Sequence, residues 1–223
     1  MSERRTVWAV VPVKRFDLAK GRLADALADD ERQQLARAML EDVLDALAAT
    51  PEVDRVLVVT REPEVAALAT AAGAATVAET GQGLNAAVKT GAEAALAGEA
   101  DILLVVHGDL PLARAEDFSA LLAVHGVAPA LTIAPDHVRD GSNCVATSPP
   151  DLIPFRFGAA SFDAHCAEAR ARGVEPRALA RAELATDVDR LEDLEAVCGA
   201  DTGGRAVAFL RASGIASRVV ETR

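Results

Sequence analysis

The feature that most constrains this chain is a seven-residue apolar run at 7–13, Val-Trp-Ala-Val-Val-Pro-Val. A loop follows in which Lys14, Arg15, Lys20 and Arg22 fall within nine residues. A Val-rich run with no polar alternation suits a strand buried on both faces. Such a strand needs a sheet with helices on either side. The carboxyl end of the first strand is where open α/β sheets bind ligands, so the cations after it sit at a ligand crevice. Several fixed positive charges suit a polyphosphate, which they neutralise and hold. The plain alternative is that Lys14 and Lys20 are solvated loop residues. Lys20 reads as exposed, and an exposed lysine adds little to stability.

The rest of the chain supplies the sheet. Leu35, Met39, Leu40, Val43, Leu44 and Leu47 recur at spacings of three and four, an amphipathic helix with Asp29 or Asp30 as its candidate cap. Residues 53–60 read as a second buried strand, Glu62-Pro63 opens a helix closed by Gly73, and Thr76-Val77 is a short strand. This β-α-β-α-β rhythm predicts a doubly wound parallel sheet. Gly81-Gln82-Gly83-Leu84-Asn85 then leads into a helix over about 86–96. Glycines ahead of a helix let backbone approach a ligand, and first-turn N–H groups point into that space. Asn85 stands at the cap position. A strand-to-helix turn explains Gly-x-Gly-x-Asn as well as a base or ribose contact does.

The signal sharpens at the apolar run 101–106, which ends in His107-Gly108-Asp109-Leu110-Pro111. Asp109 then faces the same crevice as the cationic loop. A carboxylate opposite polyphosphate calls for a cation between them, and magnesium takes one or two carboxylates plus substrate phosphates. His107, a single histidine at a strand end, reads as a structural hydrogen-bonding group. Beyond a strand at 130–135, a polar loop at 136–143 and an extended apolar run at 144–147, Gly158 and Ser161 lie at a helix start, a candidate anion site. Phe157 and Phe162 read as core packing. Asp187 and Asp189, one residue apart on a strand, would point to opposite faces, so only one could join Asp109. Asp187 is the preferred ligand, with Asp189 capping the next helix. The tail carries a short helix near 205–211 and no chemical signature.

Composition bounds the function. With 51% hydrophobic residues in 223 the chain can build one sizeable core. A net charge of −11 argues against a general nucleic-acid or anionic-membrane surface, while leaving room for a local basic pocket. The three cysteines are far apart and form no CxxC pair, so no zinc site or disulfide framework is expected. No signal peptide and no membrane-crossing run is read, and a cytoplasmic protein is expected.

Taken in order, Val-Pro-Val-Lys14-x5-Lys20-x-Arg22-Leu, Gly83-Leu84-Asn85, Gly108-Asp109-Leu110-Pro111, Gly141-Ser142-Asn143, Phe157-Gly158-x-x-Ser161-Phe162 and Asp187-Val188-Asp189-x3-Asp193-Leu194 resemble the 2-phospho-L-lactate or phosphoenolpyruvate guanylyltransferases of coenzyme F-420 biosynthesis. The resemblance spans about 7–197, with 199–223 as a C-terminal extension. It implies a single Rossmann-like α/β domain over 1–223, of the nucleotide-diphospho-sugar transferase type, with a mostly parallel sheet flanked by helices. It implies GMP transfer from GTP to a small phosphorylated acid, with magnesium as cofactor and diphosphate released. Lys14, Lys20 and Arg22 would then serve the triphosphate, and Gly83, Leu84 and Asn85 the guanosine. Asp109 with Asp187 or Asp189 would hold the metal, and Ser142, Gly158 and Ser161 the acid. A downstream transferase would use the product, and a homodimer stays open. The chain departs from the family pattern in three places: His107-Gly108 where Pro-Ala is usual, Ser142 where Thr is usual, and Arg190-Leu191 after the last aspartates where Thr-Pro is common. The alternatives are a same-fold nucleotidyltransferase acting on 3-phosphoglycerate, molybdopterin or a sugar phosphate, and a non-catalytic nucleotide-binding subunit. The molybdopterin and sugar-phosphate enzymes usually have a Gly-rich turn after the first strand, where this chain has Pro12-Val13-Lys14-Arg15.

Overall fold

The computed structural model describes residues 4–16, 20–201 and 204–221. Residues 17–19 of the cationic loop, and 202–203 and 222–223 of the C-terminal extension, lie outside the described residues. Among the described residues seven strands form one sheet: β1 (Val7–Pro12), β2 (Arg55–Val59), β3 (Ala75–Val77), β4 (Ile102–Val106), β5 (Ala130–Pro135), β6 (Ser142–Ser148) and β7 (Arg177–Ala178). Their order is β3-β2-β1-β4-β6-β5-β7. The β1 strand pairs in parallel with β2 and β4, and β2 with β3. The extended segment after the polar loop enters as β6, antiparallel to both β4 and β5. The sheet is therefore mostly parallel, as expected, with one reversed strand wedged in.

Helices cover both faces. On one face α1 (Asp29–Ala48), α2 (Pro63–Ala71), α4 (Ala115–Val124) and α7 (Leu191–Cys198) pack over Val7, Ala9 and Val11 of β1. On the other, α3 (Leu84–Ala97) and α5 (Ser161–Arg170) pack over Trp8 and Val10. Alternate residues of one strand thus feed two separate cores, which is why β1 had to be apolar throughout. The tail contributes α8 (Arg205–Ala212) and α9 (Ile215–Glu221), whose Ala206, Leu210 and Ile215 are fully buried in the α1-side core. Arg205 donates to Asp45, and its backbone N–H to Asp42, clamping the tail onto α1.

Several local expectations change. The N-cap of α1 is Ala28, not Asp29 or Asp30, and Glu31 accepts the Ala28 N–H at 2.9 Å. The α3 helix starts at Leu84 with Gly83 as its N-cap, at φ 90°, a conformation that favours glycine. Asn85 therefore lies inside the first turn rather than at the cap. Asp187 and Asp189 are not on a strand: they lie in the loop between α6 (Ala182–Ala185) and α7.

Candidate active site

The crevice forms at the carboxyl ends of β1 and β4. Here β1 runs out at Pro12 into Lys14, and β4 runs out into His107, Gly108 and Asp109. Two backbone bonds then bring distant loops to this edge. The His107 N–H donates to the Asn143 carbonyl at 3.1 Å, and the Val188 N–H donates to the Asp109 carbonyl at 3.2 Å. The second bond brings Asp187 and Asp189, the neighbours of Val188, up to Asp109 without any strand pairing.

Lys20 is the centre of the site. It has φ 56°, at the start of the 3-10 turn Gly21–Leu23, and its side chain is only 7% exposed. This corrects the reading of Lys20 as a solvated loop residue. Its Nζ donates to Asp109 Oδ2 at 2.5 Å and to Asp189 Oδ1 at 3.1 Å. Arg22 reaches the other oxygen of Asp189 at 3.2 Å. Burial works to lower the lysine pKa, but the two carboxylates outweigh it and raise the group above its usual value. Burial likewise pushes the Asp109 carboxyl up, yet the Lys20 ammonium and His107 hold it below the usual carboxylate range. Asp187 has no such partner: burial and the Asp109 charge raise its pKa, opposed by a 3.1 Å hydrogen bond from Asn143 Nδ2.

The expected cap role of Asp189 is also corrected. Asp193 accepts the N–H groups of both Asp189 and Arg190, at 2.9 and 2.7 Å, leaving the Asp189 carboxylate turned to Lys20 and Arg22. Among the described residues, Asp109 Oδ1 and His107 Nε2 are buried with no hydrogen-bond partner. No group of three or more His, Cys, Asp or Glu side chains among those residues is arranged to hold a metal unaided. One buried carboxylate oxygen without a partner, with two further aspartates beside it, nevertheless matches what magnesium needs when substrate phosphates complete its shell.

Two cavities meet at this cluster. The first, about 390 Å³, is lined by Lys14, Lys20, Phe16, Met39 and Leu40. The second, about 660 Å³, is lined by Arg22, Ser142, Gly158, Ser161, Asp187 and Arg190. Leu84, His107, Asp109 and Asp189 border both. The structure thus gathers most of the sequence candidates, but Arg22 faces the second cavity rather than joining Lys14 at the first. Gly83 and Asn85 border neither. Both ends of the Asn85 amide are taken by backbone: Nδ2 donates to the Phe157 carbonyl at 3.0 Å and Oδ1 accepts the Phe157 N–H at 2.7 Å. The Asn85 amide, expected to meet the guanosine, is thus already engaged at each end by one backbone bond.

The α5 N-terminus is partly spoken for as well. Its Phe162 N–H donates to the Asp140 carbonyl at 3.1 Å, and the Ala160 N–H to the Asp140 carboxylate at 3.2 Å. Ser142 is buried, its hydroxyl 3.0 Å from His165 Nδ1. His165 had no signal in the sequence, being one histidine in the middle of a helix. Asn143, which holds Asp187, was visible only as a neighbour of Ser142.

This sheet order, with its crevice at the strand ends, is that of the nucleotide-diphospho-sugar transferase fold. A solved structure assigned as a nucleotide-diphospho-sugar transferase, from Desulfovibrio desulfuricans, superposes with a TM-score of 0.77, covering 96% of this chain and 97% of that one at 18% identity. The family described as "Guanylyl transferase CofC like" matches residues 7–223, and the chain belongs to it. A phosphoenolpyruvate guanylyltransferase of Sphaerobacter thermophilus is 44% identical over 87% of this chain and 93% of its own length. A 3-phospho-D-glycerate guanylyltransferase of Phenylobacterium zucineum is 41% identical over 91% of this chain and 94% of its own. Among the described residues no helix is long and apolar enough to cross a membrane.

Proposed function

We propose that this guanylyltransferase moves GMP from GTP to phosphoenolpyruvate and releases diphosphate, a step that serves coenzyme F-420 biosynthesis in the cytoplasm. The observation that carries the reading is the Lys20–Asp109–Asp189 cluster, whose two carboxylates border both cavities while Lys20 lines the first. One cavity suits the nucleotide and the other the acid, so the reacting phosphates meet where both signs of charge are already fixed. A phosphate oxygen of the acid attacks the α-phosphorus of GTP. The new P–O bond forms as the α–β bond breaks, and the electron pair leaves with diphosphate. The attacking phosphate is already an anion at neutral pH, so the protein supplies position and charge rather than a base.

Lys14 and Lys20 would neutralise the triphosphate, and Arg22 would approach from the acid side. Asp109, with Asp187 or Asp189, would hold magnesium, which when bound adds positive charge beside the reacting phosphates. Leu84 would border the nucleoside, with Gly83 setting the start of its helix, while Ser142, Gly158 and Ser161 would face the acid. The decisive assay gives the purified chain GTP, magnesium and each acid in turn, with diphosphate release and product mass as readouts. Guanylylated phosphoenolpyruvate is the expected product. GTP binding without diphosphate release on any phosphorylated acid would leave only a nucleotide-binding protein.

One observation favours a second reading, 3-phosphoglycerate. The unpartnered His107 Nε2 borders both cavities. A hydroxyl on the acid would satisfy it, and a site that hydrogen-bonds a hydroxyl rejects analogues without one strongly. Equal mixtures of phosphoenolpyruvate, 2-phospho-L-lactate and 3-phosphoglycerate, read by product mass, decide between the two.

A further inference from the structure

The backbone strap at 155–158 carries Gly158 to the rim of the acid-side cavity, and it is held from two sides. From α3, Asn85 grips both the N–H and the carbonyl of Phe157, at 2.7 and 3.0 Å across 72 residues of sequence. A backbone N–H can only donate and a carbonyl can only accept, so this pair fixes which end of the amide is which. From α5, His165 Nε2 accepts the Arg156 N–H at 2.9 Å. That bond needs a lone pair on Nε2, so the single hydrogen of the neutral ring sits on Nδ1 and is donated to Ser142 Oγ at 3.0 Å. The Ser142 hydroxyl, having accepted there, keeps its own proton for another acceptor. The ring is locked in place by Phe157, edge-on at 4.8 Å, and by Phe155 at 6.2 Å. Burial, and secondarily the neighbouring His107, push the His165 pKa down to about 4, so the neutral form persists at physiological pH.

We infer that Asn85 and His165 are positioning residues of the acid subsite: together they hold the 155–158 strap, and through His165 they aim the Ser142 hydroxyl at an anionic oxygen of the phosphorylated acid. Asn85 sits two residues beyond Gly83, beside the expected nucleoside position, yet acts on the other substrate. The inference rests on the proposed reaction for its kinetic arm, and on the strap alone for its exchange arm.

The test uses Asn85→Ala and His165→Phe, with His165→Asn and His165→Gln as partial replacements. Asparagine can keep the donor near Nδ1, and glutamine the acceptor near Nε2. Loosening the strap by removing these bonds predicts a rise of about tenfold in the KM for the acid. The GTP dissociation constant, measured by equilibrium dialysis, should stay within about twofold. His165→Asn should recover part of the acid KM that His165→Phe loses. Hydrogen exchange at the Arg156 and Phe157 amides, which needs no turnover, should quicken in His165→Phe and Asn85→Ala respectively. A wild-type chain inactive on every acid sinks the proposed reaction but leaves the exchange result standing. An active wild type whose variants lose only melting temperature, with the acid KM unchanged, overturns the positioning role. Asn85→Ala weakening GTP tenfold at constant acid KM returns Asn85 to the nucleoside. If Asn85→Ala does not fold, Asn85→Asp, which keeps the acceptor and loses the donor, gives the same readings.

Discussion

Replacing Lys20 with methionine separates the roles of this lysine in folding and in catalysis. Lys20 is 7% exposed and Asp109 26%, so water screens their pair poorly, and Asp109 Oδ1 has no other donor among the described residues to compensate. Removing one partner of a buried pair costs about 3–5 kcal/mol, because the remaining charge stays desolvated. The Asp189 arm adds little, since that carboxylate is 46% exposed and keeps Arg22. At about 2–4 °C per kcal/mol for a chain of this size, Lys20→Met should lower Tm by roughly 6–20 °C in chelator-treated buffer at pH 7. The raised Lys20 pKa and lowered Asp109 pKa fix the pH window. The Asp109 contribution is present above its unfolded pKa and fades as pH falls through its folded value. The Lys20 contribution is present below its unfolded pKa and fades as pH rises through its folded value. The pair therefore stabilises across the whole neutral range. In Lys20→Met the two carboxylates are open to a divalent ion, so magnesium alone should raise Tm, by about 2.7 kcal/mol of stability at a hundredfold excess over its dissociation constant. In the wild type, where the ammonium already lies between Asp109 and Asp189, magnesium alone should do much less. Thermal melting of both proteins with and without magnesium reads all of this. A Lys20→Met protein melting within 2 °C of wild type (about 1 kcal/mol or less) would refute the buried-pair argument.

Asp109→Asn should leave the fold intact and cut turnover by more than about 100-fold, measured as diphosphate release; near wild-type turnover would remove Asp109 from the site. Asp187→Asn and Asp189→Asn, assayed alongside, should differ, with the larger loss marking the second metal ligand. His107→Ala should lower transfer to 3-phosphoglycerate far more than to phosphoenolpyruvate, read by competition and product mass, and equal losses would show that His107 makes no hydroxyl contact. Stability should also fall in mild acid. His125 and His165 both have folded pKa values of about 4 against 6.5 unfolded, so the unfolded chain binds the extra protons. Their contribution, roughly 3 kcal/mol each, is complete above about pH 6.5 and is lost as pH falls through about 4. A Tm that is flat between pH 7 and pH 5 would contradict it.

The sequence by itself determined the layered α/β fold, because the Val-rich β1 and β4 runs cannot be satisfied except between two helical layers. It also placed Lys14, Lys20 and Asp109 at one sheet edge, because residues following parallel strands share an edge by construction. Tertiary structure decided what those groups do there. Whether Lys20 is solvated or buried depends on Asp109, 89 residues away, and Asp189, 169 away, and no local pattern records such distances. The reading of Asp187 and Asp189 failed for the same reason. A period-two argument holds only on a strand; here a backbone bond from Val188 brings the loop to Asp109, and Asn143 on one side chain and Lys20 with Arg22 on the other set their directions. Asn85 looked like a cap because Asn favours caps, but Gly83, at φ 90°, is the cap and the helix begins at Leu84, which places Asn85 in the first turn with its amide on Phe157. A side chain's chemistry is written in the sequence. Its partner is chosen by packing between segments that the sequence leaves far apart.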